Sequence, residues 1–126
     1  MRVLIVDDDV FYIELIGELL GELGHEVVLA SDGKQGREIL EGEQVDLIIS
    51  DICMPTLDGV WFHSYVREFS TAPDVPFIFV SGIDSERTRE GILDPDIDFF
   101  VGKSEPVSEL VGIVDRVQRG KVRKKK

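Results

Sequence analysis

Five short apolar runs, each followed by enough chain for one helix, leave this sequence few folds to choose from. Residues 2–6, 26–30, 45–50, 77–80 and 97–101 are rich in Val, Ile, Leu and Phe, the pattern of strands buried on both faces of a parallel sheet. Between them the period changes. Val10, Ile13, Ile16, Leu19, Leu20 and Leu23 recur at three-and-four spacing, which predicts an amphipathic helix over 10–23 with Asp9 as its cap. A second helix is expected at about 34–41, with Ile39 and Leu40 inward and Gly42 at its end. A third runs from Asp58 or Gly59 to about Phe69 and presents Val60, Trp61, Tyr65, Val66 and Phe69. Ser85 to Leu93 offers only a short polar helix, the weakest element, and Val107, Leu110, Val111, Val114 and Val117 mark the last one. The alternation is (βα)₅, an α/β chain with no internal repeat.

Crossovers this short are right-handed, and a flavodoxin-like doubly wound sheet of five parallel strands in the order 2-1-3-4-5 sets the first and third strands side by side. The first strand runs into Asp7-Asp8-Asp9 and the third into Asp51. At least three carboxylates then converge at the carboxyl edge, where open α/β sheets place their ligands. Like charges so close raise one another's pKa unless a cation joins them. The fitting species is Mg²⁺, bound by Asp7 or Asp8 (one directly, the other through water), by Asp51 and by the backbone carbonyl of Cys53. Its remaining positions are left for water or phosphate oxygen. Asp51 is then a carboxylate nucleophile able to carry an acyl phosphate. Ser81 ends the fourth strand and Lys103 follows the fifth, so both reach the same edge: a hydroxyl to donate to a phosphoryl oxygen, an ammonium to pair with Asp51. Phe100 stands where it could fill or leave the space that Ser81 vacates.

Composition narrows the setting. A chain of 126 residues is one domain, able to bury a core without staples. The single cysteine, Cys53, excludes an intramolecular disulfide, and the first apolar run meets Asp7 before it is long enough for a signal peptide or membrane span. A soluble protein of a reducing compartment, the cytoplasm, is expected, with no membrane partner. The net charge of −11 hides an asymmetry: residues 1–115 hold 7 basic against 25 acidic side chains, and 116–126 hold 7 basic and no acidic ones. The acidic body repels nucleic acid, which is not expected as a partner, and the basic stretch 120–126 reads as a solvated tail or the start of a linker after a domain of residues 1–119.

These residues give the chain a resemblance to the receiver domain of bacterial response regulators, over residues 1 to about 119. The matching pieces are Asp7-Asp8 as the acidic metal pair, Asp51-Ile52-Cys53-Met54-Pro55 followed by Asp58-Gly59 as the phosphoacceptor loop, Ser81 as the hydroxyl, Phe100 as the aromatic switch and Lys103 as the lysine. Five elements in order at the right strand ends are specific, whereas Asp-Asp-Asp alone is not. The resemblance implies phosphoryl transfer to Asp51 from a histidine kinase or a histidine phosphotransfer protein, and Mg²⁺-dependent self-phosphorylation and self-dephosphorylation without turnover of a separate substrate. It also implies a changed surface on the fourth helix, fifth strand and fifth helix, read by a downstream protein. A phosphorylation-dependent homodimer is among the family's options.

Some positions depart from that pattern. The family usually has Lys-Pro with a cis peptide, where this chain has Lys103-Ser104, and Asp96 stands where receivers commonly have Gly. Ser104 and the altered region of the fourth helix motivate an alternative, a non-phosphorylated pseudo-receiver that serves as a docking module. An independent phosphatase would need a lid that 126 residues do not offer, and a flavin protein would need a phosphate-cradling loop where Asp7-Asp8-Asp9 repels phosphate. His25 and His63 are expected in structural or surface positions, and no phosphohistidine relay within the chain follows from them.

Overall fold

The computed structural model describes residues 1–52, 59–82 and 94–120. Five strands, β1 (Arg2–Val6), β2 (Glu26–Ala30), β3 (Leu47–Asp51), β4 (Phe77–Ser81) and β5 (Asp98–Gly102), form one parallel sheet in the order β2-β1-β3-β4-β5. The helices are α1 (Val10–Glu22), α2 (Gly33–Gly42), α3 (Gly59–Phe69) and a C-terminal helix (Val107–Gln118). The expected polar helix at 85–93 lies outside the described residues. Among those described, no helix is long and apolar enough to cross a membrane.

The sheet is covered on both sides because neighbouring strand residues point to opposite faces. Val3, Ile5, Leu47, Ile49, Ile78 and Val80 pack with Ile13, Ile16 and Leu20 of α1 and with Leu110, Val114 and Val117 of the C-terminal helix. Leu4, Val6, Ile48, Phe77 and Phe79 pack with Leu40 of α2 and with Phe62 and Val66 of α3. Hence the strands read as continuous apolar runs rather than alternating ones. Asp9 caps α1, accepting from the backbone N–H of Tyr12 at 3.2 Å, and Asp32 caps α2 through Gln35 at 2.8 Å.

The boundaries move by a residue or two toward the polar ends. β3 starts at Leu47, because Asp46 turns its carboxylate onto the Arg2 N–H at 2.8 Å, and it includes Asp51, which pairs with Val80. Likewise Ser81 and Gly102 remain in register with each other. A backbone ladder does not stop where the apolar side chains stop. Helical phase also shifts: the inner line of α1 is Ile13, Ile16 and Leu20, with Val10 and Leu23 exposed. In α3 the buried residues are Gly59, Phe62, His63 and Val66, while Trp61 and Phe69 are exposed. The rings of Phe77 and Phe79 set that phase, with His63 at 4.8 and 5.0 Å from them, centroid to centroid.

Gly59 ties the end of β3 to the start of α3. Its N–H donates to the Ile52 carbonyl at 2.8 Å, and a Cβ there would sit 2.0 Å from the Asp51 carbonyl oxygen and 2.9 Å from the Ile52 Cα. Gly59→Ala is expected to cost roughly 1–3 kcal/mol or more and to displace Asp51, read as a lower urea midpoint together with altered amide shifts around residue 51. A variant as stable as the parent would refute the contact.

At the opposite edge lies a buried polar cluster that no periodicity announced. Asp98, the first residue of β5, accepts from His63 Nε2 at 2.8 Å and from Arg67 Nη2 at 2.5 Å on one oxygen, and from the Asp94 N–H at 2.9 Å on the other. Arg67 also donates to the carbonyls of Pro73 and Val75, at 3.0 and 2.6 Å. His63 is therefore structural, as expected, though fully buried rather than at the surface.

Candidate functional site

Asp7 follows β1 and is held by its own N–H, which donates to the Ala30 carbonyl at 3.1 Å. Its side chain is wholly buried, and one oxygen accepts from the Asp9 N–H at 2.9 Å. Asp51 reaches it because β3 is the neighbour of β1. Asp8 completes the group from the solvent side, and carboxylate oxygens of Asp7, Asp8 and Asp51 lie within 4.8 Å of one another. Three hard oxygen donors at that spacing, one of them exposed to solvent, fit a Mg²⁺ ion. Cys53, expected to lend its carbonyl, lies outside the described residues, as does Asp58.

Lys103 enters from beyond β5. Its N–H donates to the Ser81 carbonyl at 2.8 Å, which carries the β4–β5 ladder one residue past Gly102. The ammonium is 2.7 Å from Asp7 Oδ2 and 3.5 Å from Asp51 Oδ2. No cis peptide occurs among the described residues, so Lys103-Ser104 is trans. Burial of the ammonium works against its charge, but the hydrogen bond and charge of Asp7, followed by Asp51 and Asp9, outweigh it and hold the pKa above 10.5. Lys103 is thus a fixed cation at neutral pH. Ser81 is buried at the same edge. Phe100 is half-buried, level with Phe79 in the sheet and packed against the α2–α3 side of the core.

Asp7 is the strained member. Burial pushes its pKa up and Asp51 adds to that, against the pull of Lys103 and the Asp9 N–H, leaving it raised from 3.8 to about 6. Between these values the folded chain binds more proton than the unfolded one, so the stability linked to Asp7 is complete below 3.8 and lost as pH rises through 6. Asp7→Asn is therefore expected to stabilise the metal-free protein by on the order of 1–3 kcal/mol near neutral pH and to remove the gain that Mg²⁺ gives the parent. Urea unfolding with EDTA and with Mg²⁺ checks both. An Asn variant no more stable than the parent above pH 6 would contradict this account.

Tyr12 belongs to the site and the sequence reading missed it. Its ring centroid is 4.7 Å from the Lys103 ammonium. Burial, then the charges of Asp7, Asp51 and Asp9, push its phenol up to about 12. The available signal was its position one helical turn past the capping Asp9, which brings the side chain back over the acidic cluster.

Comparison with known proteins finds likeness in both sequence and fold. The family model described as response regulator receiver domain matches residues 3–115. The response regulator MprA of Mycolicibacterium vanbaalenii is 32% identical over 111 residues, 88% of this chain and 47% of that protein, and the MprA of Mycobacterium leprae is 32% identical over 119 residues, 94% and 51%. The chain thus spans about half the length of the curated relatives it matches. Among solved structures, the chemotaxis protein CheY4 of Vibrio cholerae superposes with a TM-score of 0.83 at 28% identity, covering 92% of this chain and 97% of that one. The response regulator TrrA of Thermotoga maritima, solved in complex with Mg²⁺ and BeF, gives 0.81 at 28% identity and the same coverage.

Proposed function

The chain belongs to the response regulator receiver domain family, and from that premise we propose that it is a phosphorylation switch whose Asp51 accepts a phosphoryl group from a phosphohistidine. The donor would be a histidine kinase or a histidine phosphotransfer protein, met in the cytoplasm. The observation that carries the reading is the set of three carboxylates within 4.8 Å, with one ammonium 2.7 and 3.5 Å from two of them.

A carboxylate oxygen of Asp51 attacks the phosphorus as the phosphorus–nitrogen bond breaks, and the electron pair leaves with the imidazole. Mg²⁺ held by Asp7, Asp8 and Asp51 would supply positive charge against the phosphoryl oxygens. Lys103 neutralises Asp51 beforehand and the acyl phosphate afterwards. Attack by water later releases phosphate and restores the carboxylate. The new group adds about 1.5–2 negative charges, which draw the Ser81 hydroxyl inward, and Phe100 then moves to fill the space. The output surface would be the segment 85–93 with β5 and the C-terminal helix.

The alternative of a docking module without chemistry has two motives, the altered segment around 85–96, most of which lies outside the described residues, and Ser104. Lys103 reaches both carboxylates without the proline, which weakens the motive from Ser104. Incubation with Mg²⁺ and phosphoramidate should add one phosphoryl group, about 80 Da, by intact mass. No gain in a folded protein would favour the docking module.

A further inference from the structure

We propose that Tyr12 is a positioning residue for phosphoryl transfer, its ring face holding the Lys103 ammonium at the acidic site. The proposal deepens the phosphoacceptor reading and rests on it.

A lysine is a point charge on a flexible four-carbon stem, so aiming it needs contacts beyond its own backbone. In this chain a trans peptide to Ser104 follows Lys103, and a small cavity of about 150 Å³ lined in part by Gly102, Lys103, Pro106 and Val107 adjoins the stem. Among the described residues the ammonium has Asp7 at 2.7 Å, Asp51 at 3.5 Å and the Tyr12 ring at 4.7 Å to its centroid. The two carboxylates are also the groups that would hold Mg²⁺. A carboxylate shared with a divalent ion attracts an ammonium less. A ring face is no ligand for a hard cation, but it attracts an ammonium through its quadrupole. Tyr12 therefore keeps its hold on Lys103 when the carboxylates are claimed.

The ring is itself well anchored. Its backbone N–H is the one that Asp9 caps, and its side chain packs against the core on the α1 side. The first turn of α1 thereby links one aspartate of the acidic run to the lysine from the far side of the sheet.

The test separates ring from hydroxyl. In the metal-free parent the ε-methylene protons of Lys103 should be shifted upfield by the ring current, and Tyr12→Leu should abolish that shift. Tyr12→Leu should also slow phosphoryl uptake from phosphoramidate roughly 3- to 30-fold, the span of one cation–π contact. Tyr12→Phe, which returns the ring without the hydroxyl, should recover the shift and most of the rate. An unshifted Lys103 in the parent, a Leu variant that reacts as fast as the parent, or a Phe variant as slow as Leu would each overturn the proposal. Amide spectra of both variants show whether the fold is intact. Failure of the parent to take up any phosphoryl group would overturn the function proposed above instead, and the ring-current comparison would still decide whether Tyr12 holds Lys103.

Discussion

Asp51→Asn will show no mass gain under conditions in which the parent gains one phosphoryl group, and it will stay folded while doing so. The substitution keeps the size and the strand-end position of the side chain but replaces a carboxylate nucleophile with an amide that cannot form an acyl phosphate. Folding should survive because the Asp51 backbone keeps its place in the variant: it pairs with Val80 in the sheet, and its carbonyl packs against Gly59. Removing one of three crowded negative charges also relieves Asp7, whose pKa Asp51 helps to raise. Metal-free stability should therefore rise slightly. Intact mass and urea unfolding on the same preparation give both answers. Full phosphorylation of the Asn variant would move the acceptor to another residue and defeat the mechanism.

Asp98→Ala should be the most damaging single change to stability, about 3–5 kcal/mol. The carboxylate is almost fully buried, and its loss takes the acceptor from the buried His63 Nε2 and leaves the Arg67 charge with only the Pro73 and Val75 carbonyls among the described residues. Burial alone would push the Asp98 pKa up, but the hydrogen bonds and charges of His63 and Arg67 together hold it below 3.8. A depressed carboxyl contributes stability that is complete above 3.8 and withdrawn as pH falls through the lower folded value. That is opposite in sign to Asp7. A shift in urea midpoint at unchanged slope reads the loss, and Asp98→Asn, which keeps the shape but not the charge, should fall between Ala and parent. A loss under about 1 kcal/mol would mean that the cluster contributes little.

The strand order and the acidic site were legible because both rest on local patterns. Each apolar run marks a strand, and each polar residue just past a run, Asp7, Asp51, Ser81 or Lys103, is delivered to one edge by the topology. The rest depended on register and helical phase. Spacing on α3 marks Val60, Trp61, Tyr65, Val66 and Phe69 without deciding which aromatics face out, whereas the inner line is Phe62, His63 and Val66, a phase chosen by rings on β4. The Asp98 cluster joins residues 31 and 35 positions apart, beyond any helical or strand period. A charged residue opening an otherwise apolar strand was the one hint, since a buried carboxylate needs partners. Tyr12 was hidden for a similar reason: its partner Lys103 arrives from the other end of the chain.

Asp98 and Lys103 stand at opposite ends of β5, five residues and roughly 16 Å apart. At that distance substitutions in the two clusters should add rather than interact. Evolution can thus treat them as separate dials. Drift around His63, Arg67 and Asp98 would alter how the molecule withstands acid or heat, while drift around Tyr12 would, on the switch proposed above, alter how quickly a phosphoryl group is taken up, and neither lineage of change need wait for the other.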